Sequence, residues 1–135
     1  MSRSVTQGLT LWAADRPDYP LAAVLTYSVA DPYAVRLAFV QGSRETVVYV
    51  FARGLLADGL YDPVGEGDVM VGPHEDHEPY LVITLRPEDG YPFALYAVRS
   101  QIEAFVDRAY RLVAMGRERV DVDAVVARIL AEVTP

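Results

Sequence analysis

Cysteine is absent from the 135 residues of this chain, which excludes disulfides, thiol nucleophiles and zinc sites built on cysteine. Lysine is also absent, so that all 12 basic residues are arginine. No window offers the roughly 18 consecutive apolar residues that a membrane-spanning helix needs. Residues 1–8 carry no apolar run of the kind that signal peptides have. We therefore expect a soluble, cytoplasmic protein with no transmembrane segment.

The charge balance bears on possible partners. Acidic residues exceed basic ones and give a net charge of -7, which repels phosphate backbones. The sequence also has no arginine-dense patch with interleaved aromatic residues, so nucleic acid is a poor candidate partner. Because 52% of the residues are hydrophobic, a chain of this length can bury about two thirds of its unfolded surface. One domain spanning residues 1–135 is the expected organisation.

Strand patterns dominate the first half of the chain. Apolar residues alternate with a period of two over 6–13, 19–29 and 33–39, and turn residues separate these segments. Residues 47–51 are apolar on both faces, which predicts a strand in the centre of a sheet. These four strands are predicted to form an antiparallel meander. A short helix over 53–58, with Gly59 as its C-cap, follows it.

The second half repeats the order of strands followed by helix. Strands are predicted around Val69 and Val71, over 80–85 and over 91–98. Ser100 is a candidate N-cap with Glu103 at the capping-box position, and a 3.6-residue apolar period predicts a helix of about four turns. The residues on its apolar face are Ile102, Phe105, Val106, Ala109, Leu112 and Val113.

A second C-terminal helix is predicted beyond Gly116. Asp121 or Asp123 is a candidate cap, and apolar residues recur at helical spacing over 122–133. The predicted fold class is therefore α+β, with antiparallel sheets of about seven strands, a short helix after the fourth strand and two C-terminal helices.

One polar cluster raises the possibility of a metal site. Residues 74–78 contain two imidazoles and three carboxylates, groups that bind zinc and other divalent ions. The flanking Pro73 and Pro79 disfavour a helix that would bring both rings to one face. A solvated acidic turn between strands is the favoured interpretation, and metal binding the alternative.

No other segment indicates catalysis or cofactor binding. The glycine-rich stretch 65–68 precedes a strand and carries carboxylates, unlike a phosphate-binding loop, so its glycines are predicted to supply a positive φ in a tight connection. Acidic pairs lie in turns or at helix starts, and no serine has an assignable base. We predict that the chain is not an enzyme and has no catalytic, cofactor-binding or metal-binding residue. Its nine tyrosines suit strand faces and protein interfaces.

Three motifs in the central part of the chain occur together in a known family. They are DPYAVR at 31–36, TV..VFAR.LLA.GL at 46–60 and P.G.GDV at 63–69. In this order and spacing they resemble the SsgA-like proteins of filamentous actinobacteria. Pro73, the turn at 88–90 and the C-terminal patterns at 102–106, 116–118 and 122–130 extend the resemblance to nearly the full length. Gly54 and Met115 depart from the residues that the family usually has there.

The resemblance implies a non-enzymatic role in sporulation and cell division. SsgA-like proteins act at future septum sites, where they help to recruit the division machinery and FtsZ, so the implied partners are FtsZ, paralogues and further copies of the chain. The implied fold is similar to the Whirly arrangement of two four-stranded sheets packed against helices, assembled as a homotrimer. Because Whirly-like proteins bind single-stranded nucleic acid, that function is the alternative, although the acidic charge argues against it.

Overall fold

A computed structural model describes residues 3–88 and 90–119 of the chain. It contains eight strands and two helices. In chain order these are β1 (Ser4–Ala13), β2 (Arg16–Ser28), β3 (Asp31–Gln41), β4 (Arg44–Ala52), α1 (Arg53–Asp58), β5 (Val64–Glu66), β6 (Val69–Pro73), β7 (Tyr80–Leu85), β8 (Phe93–Val98) and α2 (Arg99–Leu112).

The strands form one hydrogen-bonded sheet in the order β4-β3-β2-β1-β8-β7-β6-β5. Each half of the sheet is an antiparallel meander of consecutive strands, which confirms the meander predicted before the short helix. The halves meet where β1 pairs with β8 through Trp12 opposite Tyr96 and Ala13 opposite Leu95. This short pairing is the seam of the sheet.

The prediction of about seven strands is one short, because the sheet has eight. The missed strand is β5, whose three residues are too few to show a period of two. It turns into β6 through Gly67 and Asp68, and Gly67 has a φ of 60°. The predicted positive φ in this glycine-rich connection is thus confirmed at Gly67.

The prediction that residues 47–51 form a central strand is wrong. They belong to β4, which is the end strand of the sheet and pairs with β3. The inner face of β4 packs on the core at Phe51, whereas Val48 and Val50 lie on the other face and are exposed. A strand that is apolar on both faces therefore marks an exposed apolar surface here.

The short helix α1 begins and ends as predicted, with Gly59 as its C-cap. The φ of Gly59 is -66°, so glycine is not required for a left-handed conformation. A Cβ atom at this position would lie 2.5 Å from Cγ1 of Val71. Glycine is required because the end of α1 packs directly against β6.

Helix α2 spans 14 residues, close to the predicted four turns, but its predicted capping box is wrong. The helix begins one residue before Ser100, and no side chain caps it. The backbone N–H of Arg99 donates to the carbonyl of Pro79 at 2.8 Å, and Glu103 instead pairs with the Arg99 guanidinium at 2.8 Å. The predicted second C-terminal helix at 122–133 and Asp89 of the turn at 88–90 lie outside the described residues.

Both helices pack on the inner face of the curved sheet. Helix α1 contacts β3, β4, β5 and β6, which come from both ends of the sheet, while α2 contacts β1 and β8 at its centre. The largest fully buried side chains between them are Tyr27, Phe105, Leu11, Leu25, Leu37, Leu56, Leu81, Ile83, Leu85, Leu95, Ile102 and Val35. Four of the six residues on the predicted apolar face of α2 are buried, namely Ile102, Phe105, Val106 and Ala109.

Candidate interaction surfaces

The free side of β4, here named the β4 edge, is the most accessible apolar feature of the sheet. An end strand presents backbone N–H and C=O groups that have no partner within the sheet. Its side chains are also exposed, by 48% at Val47, 39% at Val48 and 62% at Val50. Residues 46–51 contain no charged side chain. Within residues 3–88 and 90–119, the β4 edge thus combines backbone groups that have no strand partner with apolar side chains, which is the arrangement that accepts an added strand.

The outer face of the sheet continues this apolar surface away from the edge. Val48 lies opposite Ala38, Ala38 opposite Val24, and Val24 opposite Gly8. These four residues form one row across β4, β3, β2 and β1. Ala38 is only 1% exposed and Val24 is half-buried, so the accessible apolar part of this row is Val48 beside the edge.

An ion pair runs along the outer face beside β4, where Arg36 lies opposite Val50 and Glu45 lies opposite Val40. The guanidinium of Arg36 donates two hydrogen bonds to the carboxylate of Glu45, one of them at 2.7 Å. The hydrogen bond from Arg36 holds the pKa of Glu45 below its ordinary value. Both side chains are more than 40% exposed, so this pair contributes little to stability. The two side chains neutralise each other's charge next to the apolar residues 46–51.

An open groove of about 650 Å³ runs along the inner side of β4. Its far wall is formed by Gly67 and Asp68 of the β5–β6 turn and by residues 86–88. Tyr49 projects into this region, where burial and then the carboxylate of Asp68 raise the pKa of its hydroxyl. The groove makes the β4 edge accessible from its inner as well as its outer side.

Arg53, the first residue of α1, is a buried charged residue at 2% exposure. Its guanidinium carbon lies 3.8 Å from the ring centroid of Tyr110 and 4.9 Å from that of Tyr27. The guanidinium donates to the carbonyls of Ala109 and Val113 at 3.2 and 2.6 Å. Arg53 therefore connects the end of β4 to the C-terminal end of α2.

The charge of Arg53 is balanced by Glu118. The guanidinium donates to the Glu118 carboxylate at 2.7 Å, and the backbone N–H of Gly116 donates to its other oxygen at 2.9 Å. Hydrogen bonds from the backbone N–H of Glu118 itself, from Arg53 and from Gly116 hold the pKa of this carboxyl below its ordinary value. The pair anchors the segment that follows α2 onto the body of the protein.

The acidic loop at 74–79 is an exposed turn between β6 and β7. The Nδ1 atom of His74 accepts hydrogen bonds from the backbone N–H groups of Asp76 and His77 at 3.0 and 3.1 Å. Among residues 3–88 and 90–119, no three histidine or acidic side chains converge on a common point as metal ligands would. His74 therefore stabilises the turn through its Nδ1 atom.

Sequence patterns missed two of these features for a common reason. Arg53 lies inside a motif quoted above, but its partners Ala109 and Glu118 are 56 and 65 residues away. The exposure of the β4 edge depends on strand order, which is also a long-range property. The sequence nevertheless showed that the strand at 47–51 has no polar face, and Val48 and Val50 belong to the exposed face.

These observations define an α+β protein with an open apolar sheet edge. The sequence matches the family model described as Streptomyces sporulation and cell division protein, SsgA, over residues 21–118. The chain therefore belongs to the SsgA family, as its central motifs predicted. Sporulation-specific cell division protein SsgB from Thermobifida fusca (strain YX) is 41% identical over 127 residues, covering 92% of this chain and 91% of that relative. SsgB from Streptomyces coelicolor is also 41% identical, covering 92% of each chain.

Solved structures support the same relationship. An SsgA-like sporulation-specific cell division protein from Thermobifida fusca YX-ER1 matches with a TM-score of 0.75 and 39% identity, covering 96% of each chain. A structure from work on SsgB mutations that correlate to longitudinal cell division during sporulation of Streptomyces coelicolor matches with a TM-score of 0.77 and 38% identity. That match covers 87% of this chain and 93% of the other.

The relatives are named for sporulation-specific cell division, which supports a division and sporulation role for this chain. Their names refer to no catalysed reaction and give no support to the single-stranded nucleic-acid alternative. In the described part of the chain, no helix is long and apolar enough to span a membrane.

Proposed function

We propose that this protein is a non-enzymatic interaction module in sporulation-associated cell division. It self-associates and helps to recruit or position the division machinery at the septum, on the cytoplasmic side. The observation that supports this proposal most directly is the exposed apolar β4 edge, with Val48 39% and Val50 62% exposed. A sheet that leaves such an edge open gains by covering it with another chain.

The occupant we propose for the β4 edge is a second copy of the chain. Backbone pairing would satisfy the free N–H and C=O groups of β4, and contact between the valine side chains would remove apolar surface from water. The homotrimer and the Whirly-like arrangement come from the family resemblance and belong to this proposal.

The proposed partners at the septum are FtsZ and SsgA-like paralogues. Both follow from the resemblance to the family, and the supporting feature of this chain is the set of exposed apolar side chains on its sheet. Self-association through the edge leaves the outer sheet face around the half-buried Val24 for a different protein. The module thus contributes surfaces and no chemistry.

Light scattering coupled to size-exclusion chromatography tests the self-association. The wild-type protein is expected to elute with the mass of a trimer, whereas Val50→Arg should be monomeric because it places a charge in the apolar contact. Tyr91→Arg is the matched control, since Tyr91 is 92% exposed and is not among the residues that line the groove along β4, and it should keep the trimer. A monomeric wild type, or a trimeric Val50→Arg variant with an unchanged circular dichroism spectrum, would contradict the proposal.

A second experiment tests the cellular role. Fluorescent fusions of the wild type and of Val50→Arg are expressed in a sporulating actinobacterium, and septal proteins are co-purified with each. The wild type is expected at septa together with FtsZ, and the variant is expected to be diffuse. A diffuse wild-type signal with no septal protein recovered would refute the septal role.

A further inference from the structure

An aromatic groove crosses the outer face of the sheet at the seam between its two halves. Five aromatic side chains and one proline line a cavity of about 640 Å³: Trp12, Pro17, His74, His77, Tyr80 and Tyr96. Trp12 and Tyr96 face each other across the β1–β8 pairing. The ring of His74 lies 4.9 Å from that of Tyr96 and 4.9 Å from that of His77. We call this cavity the seam groove.

The lining of the seam groove is unusual because it consists almost entirely of π-systems. Aromatic faces carry negative electrostatic potential and attract cations, tryptophan most strongly. Elsewhere in the described residues, arginines of the chain stack on four tyrosine rings: Arg16 on Tyr19, Arg53 on Tyr27 and Tyr110, and Arg99 on Tyr61. In that part of the chain, no arginine stacks on the five rings of the groove.

The surroundings of the seam groove are acidic. Glu75, Asp76 and Glu78 belong to the loop that supplies His74 and His77, and all three are exposed. On the opposite side, Asp15 and Asp18 flank Pro17, with Arg16 between them. Carboxylates around an aromatic cavity raise the local concentration of cations and disfavour anionic ligands.

We propose that the seam groove binds an arginine-bearing segment of a partner protein. A planar guanidinium stacks on aromatic faces and forms paired hydrogen bonds with carboxylates, whereas an ammonium group is a strongly hydrated point charge. Trp12, Tyr80 and Tyr96 provide the stacking surfaces. The acceptors are Glu75 and Asp76, which line the adjoining cavity that shares His74 and Tyr96 with the groove. This inference rests on the proposed role as an interaction module, but it concerns a surface separate from the β4 edge.

The only tryptophan of the chain lies in this groove, so its fluorescence reports occupancy. The full-length protein is titrated with the capped peptide Gly-Arg-Gly-Arg-Gly, with calorimetry alongside. The control peptide replaces both arginines by citrulline, which keeps the planar shape and about three of the five N–H donors but removes the charge. We expect a saturable change in Trp12 emission with the arginine peptide, at least about ten-fold weaker binding of the citrulline peptide and weakening by salt.

Protein variants locate the binding. Tyr80→Leu should raise the Kd for the arginine peptide at least about five-fold by removing one stacking face, and Tyr33→Leu, a similarly exposed tyrosine on β3, should not. His77→Ala is a second groove variant that keeps the backbone N–H donated to His74, so folding is preserved. It should also weaken binding.

Charge variants test the acidic rim. Glu75→Gln combined with Asp76→Asn should raise the Kd, whereas Glu88→Gln combined with Asp107→Asn, which changes the net charge equally, should leave it nearly unchanged. The proposal is overturned if neither method detects saturable binding below about 5 mM peptide, a Kd too weak for recognition. Equal binding of the citrulline peptide, tighter binding of a neutral proline-rich peptide, or equal effects of groove and control variants would also overturn it.

The outcome is separable from that of the self-association test. Binding of the arginine peptide by a monomeric wild type would support the seam groove and refute the β4-edge trimer. If the wild type is a trimer, Val50→Arg is a monomer and the arginine peptide does not bind, only the proposal for the seam groove is refuted.

Discussion

At the scale of single residues, Arg53 connects the largest number of separate parts. It follows β4 directly, stacks between two tyrosines and donates hydrogen bonds to the end of α2 and to Glu118. A buried charge with its partners satisfied adds little net stability compared with an apolar residue of the same shape. Removing one partner is costly, because the remaining groups lose their hydrogen bonds in a partly buried site.

We expect Arg53→Met to lower the free energy of unfolding by about 3 kcal/mol. The variant removes the side-chain donor from the Val113 carbonyl and one of the donors from both the Ala109 carbonyl and the Glu118 carboxylate. Urea denaturation measures the change. Arg36→Met is the matched control, since it breaks an arginine–glutamate pair of which both members are exposed, and its midpoint should move much less. Equal shifts of the two midpoints would show that burial of Arg53 has no special effect.

Glu118 predicts a dependence on pH. Its pKa in the folded protein is below the ordinary value of 4.5, so its ionised form stabilises the fold above that pH, and the contribution is lost as the pH falls through the lowered pKa. Glu118→Gln should therefore be less stable than the wild type at pH 7, and the difference should shrink below about pH 4.5. Denaturation curves of both proteins between pH 7 and 3 test this, and a difference independent of pH would contradict it.

The sequence indicated which residues are unusual at this scale but not what they contact. Arg53 stood in a recognisable motif, and the tyrosine abundance was evident. Their stacking could not be predicted, because Tyr27, Arg53 and Tyr110 come from a strand, a short helix and a distant helix. The apolar face of α2 was predicted correctly because helical spacing is a local property.

At the scale of elements, close packing between α1 and β6 determines where glycine is required. A Cβ atom at Gly59 would lie 2.5 Å from Val71, whereas one at Gly54 would meet nothing within 4 Å. Both glycines lie in or next to the same short helix, and the φ of neither is positive. Neither position needs glycine for a left-handed backbone conformation, and only Gly59 needs it to avoid a steric clash.

Gly59→Ala is expected to destabilise the protein by about 1 to 3 kcal/mol through overpacking. Gly54→Ala, its matched control, should stabilise by about 0.5 kcal/mol because alanine loses less backbone entropy in a helix. Thermal unfolding of the two variants measures both effects. If Val71→Ala in the Gly59→Ala background recovers none of the loss, the contact with Val71 is not its cause.

Elements were predicted where a pattern persists and missed where an element is short or depends on its neighbours. The long strands and α2 carry sustained periods of two or 3.6. Strand β5 has too few residues for any period, and the start of α2 is set by a hydrogen bond between Arg99 and Pro79 in place of a serine cap. The prediction that β4 is a central strand was wrong. Apolar residues on both faces were interpreted as burial between neighbouring elements, but the sequence does not show whether such neighbours exist.

At the scale of the whole molecule, the α+β class and the meander topology followed from the sequence, whereas the surfaces did not. Alternation and turn residues predict where the strands lie and that consecutive strands pair with each other. They do not determine that β1 pairs with β8, which leaves β4 and β5 at the ends of the sheet and brings Trp12 next to Tyr96. Both candidate surfaces depend on this one long-range pairing.

If the β4 edge mediates self-association, the stability of the whole molecule depends on its concentration. Assembly binds only the folded chain and so stabilises it by mass action. The unfolding temperature of the wild type should rise over a hundred-fold increase in concentration, and that of Val50→Arg should stay constant. Differential scanning fluorimetry at several concentrations measures this. Constant unfolding temperatures for both proteins would argue against coupling of folding and assembly.

The position of Arg53 has a consequence for any shortened version of the protein. A chain that stops before Val113 would lose a carbonyl acceptor and the carboxylate that neutralises the guanidinium, while the cation would stay enclosed by Tyr27. Such a truncation would disturb Arg53 at the start of α1, 60 residues before Val113, directly after the end strand β4. Removing the residues after α2 would therefore also disturb the end of β4.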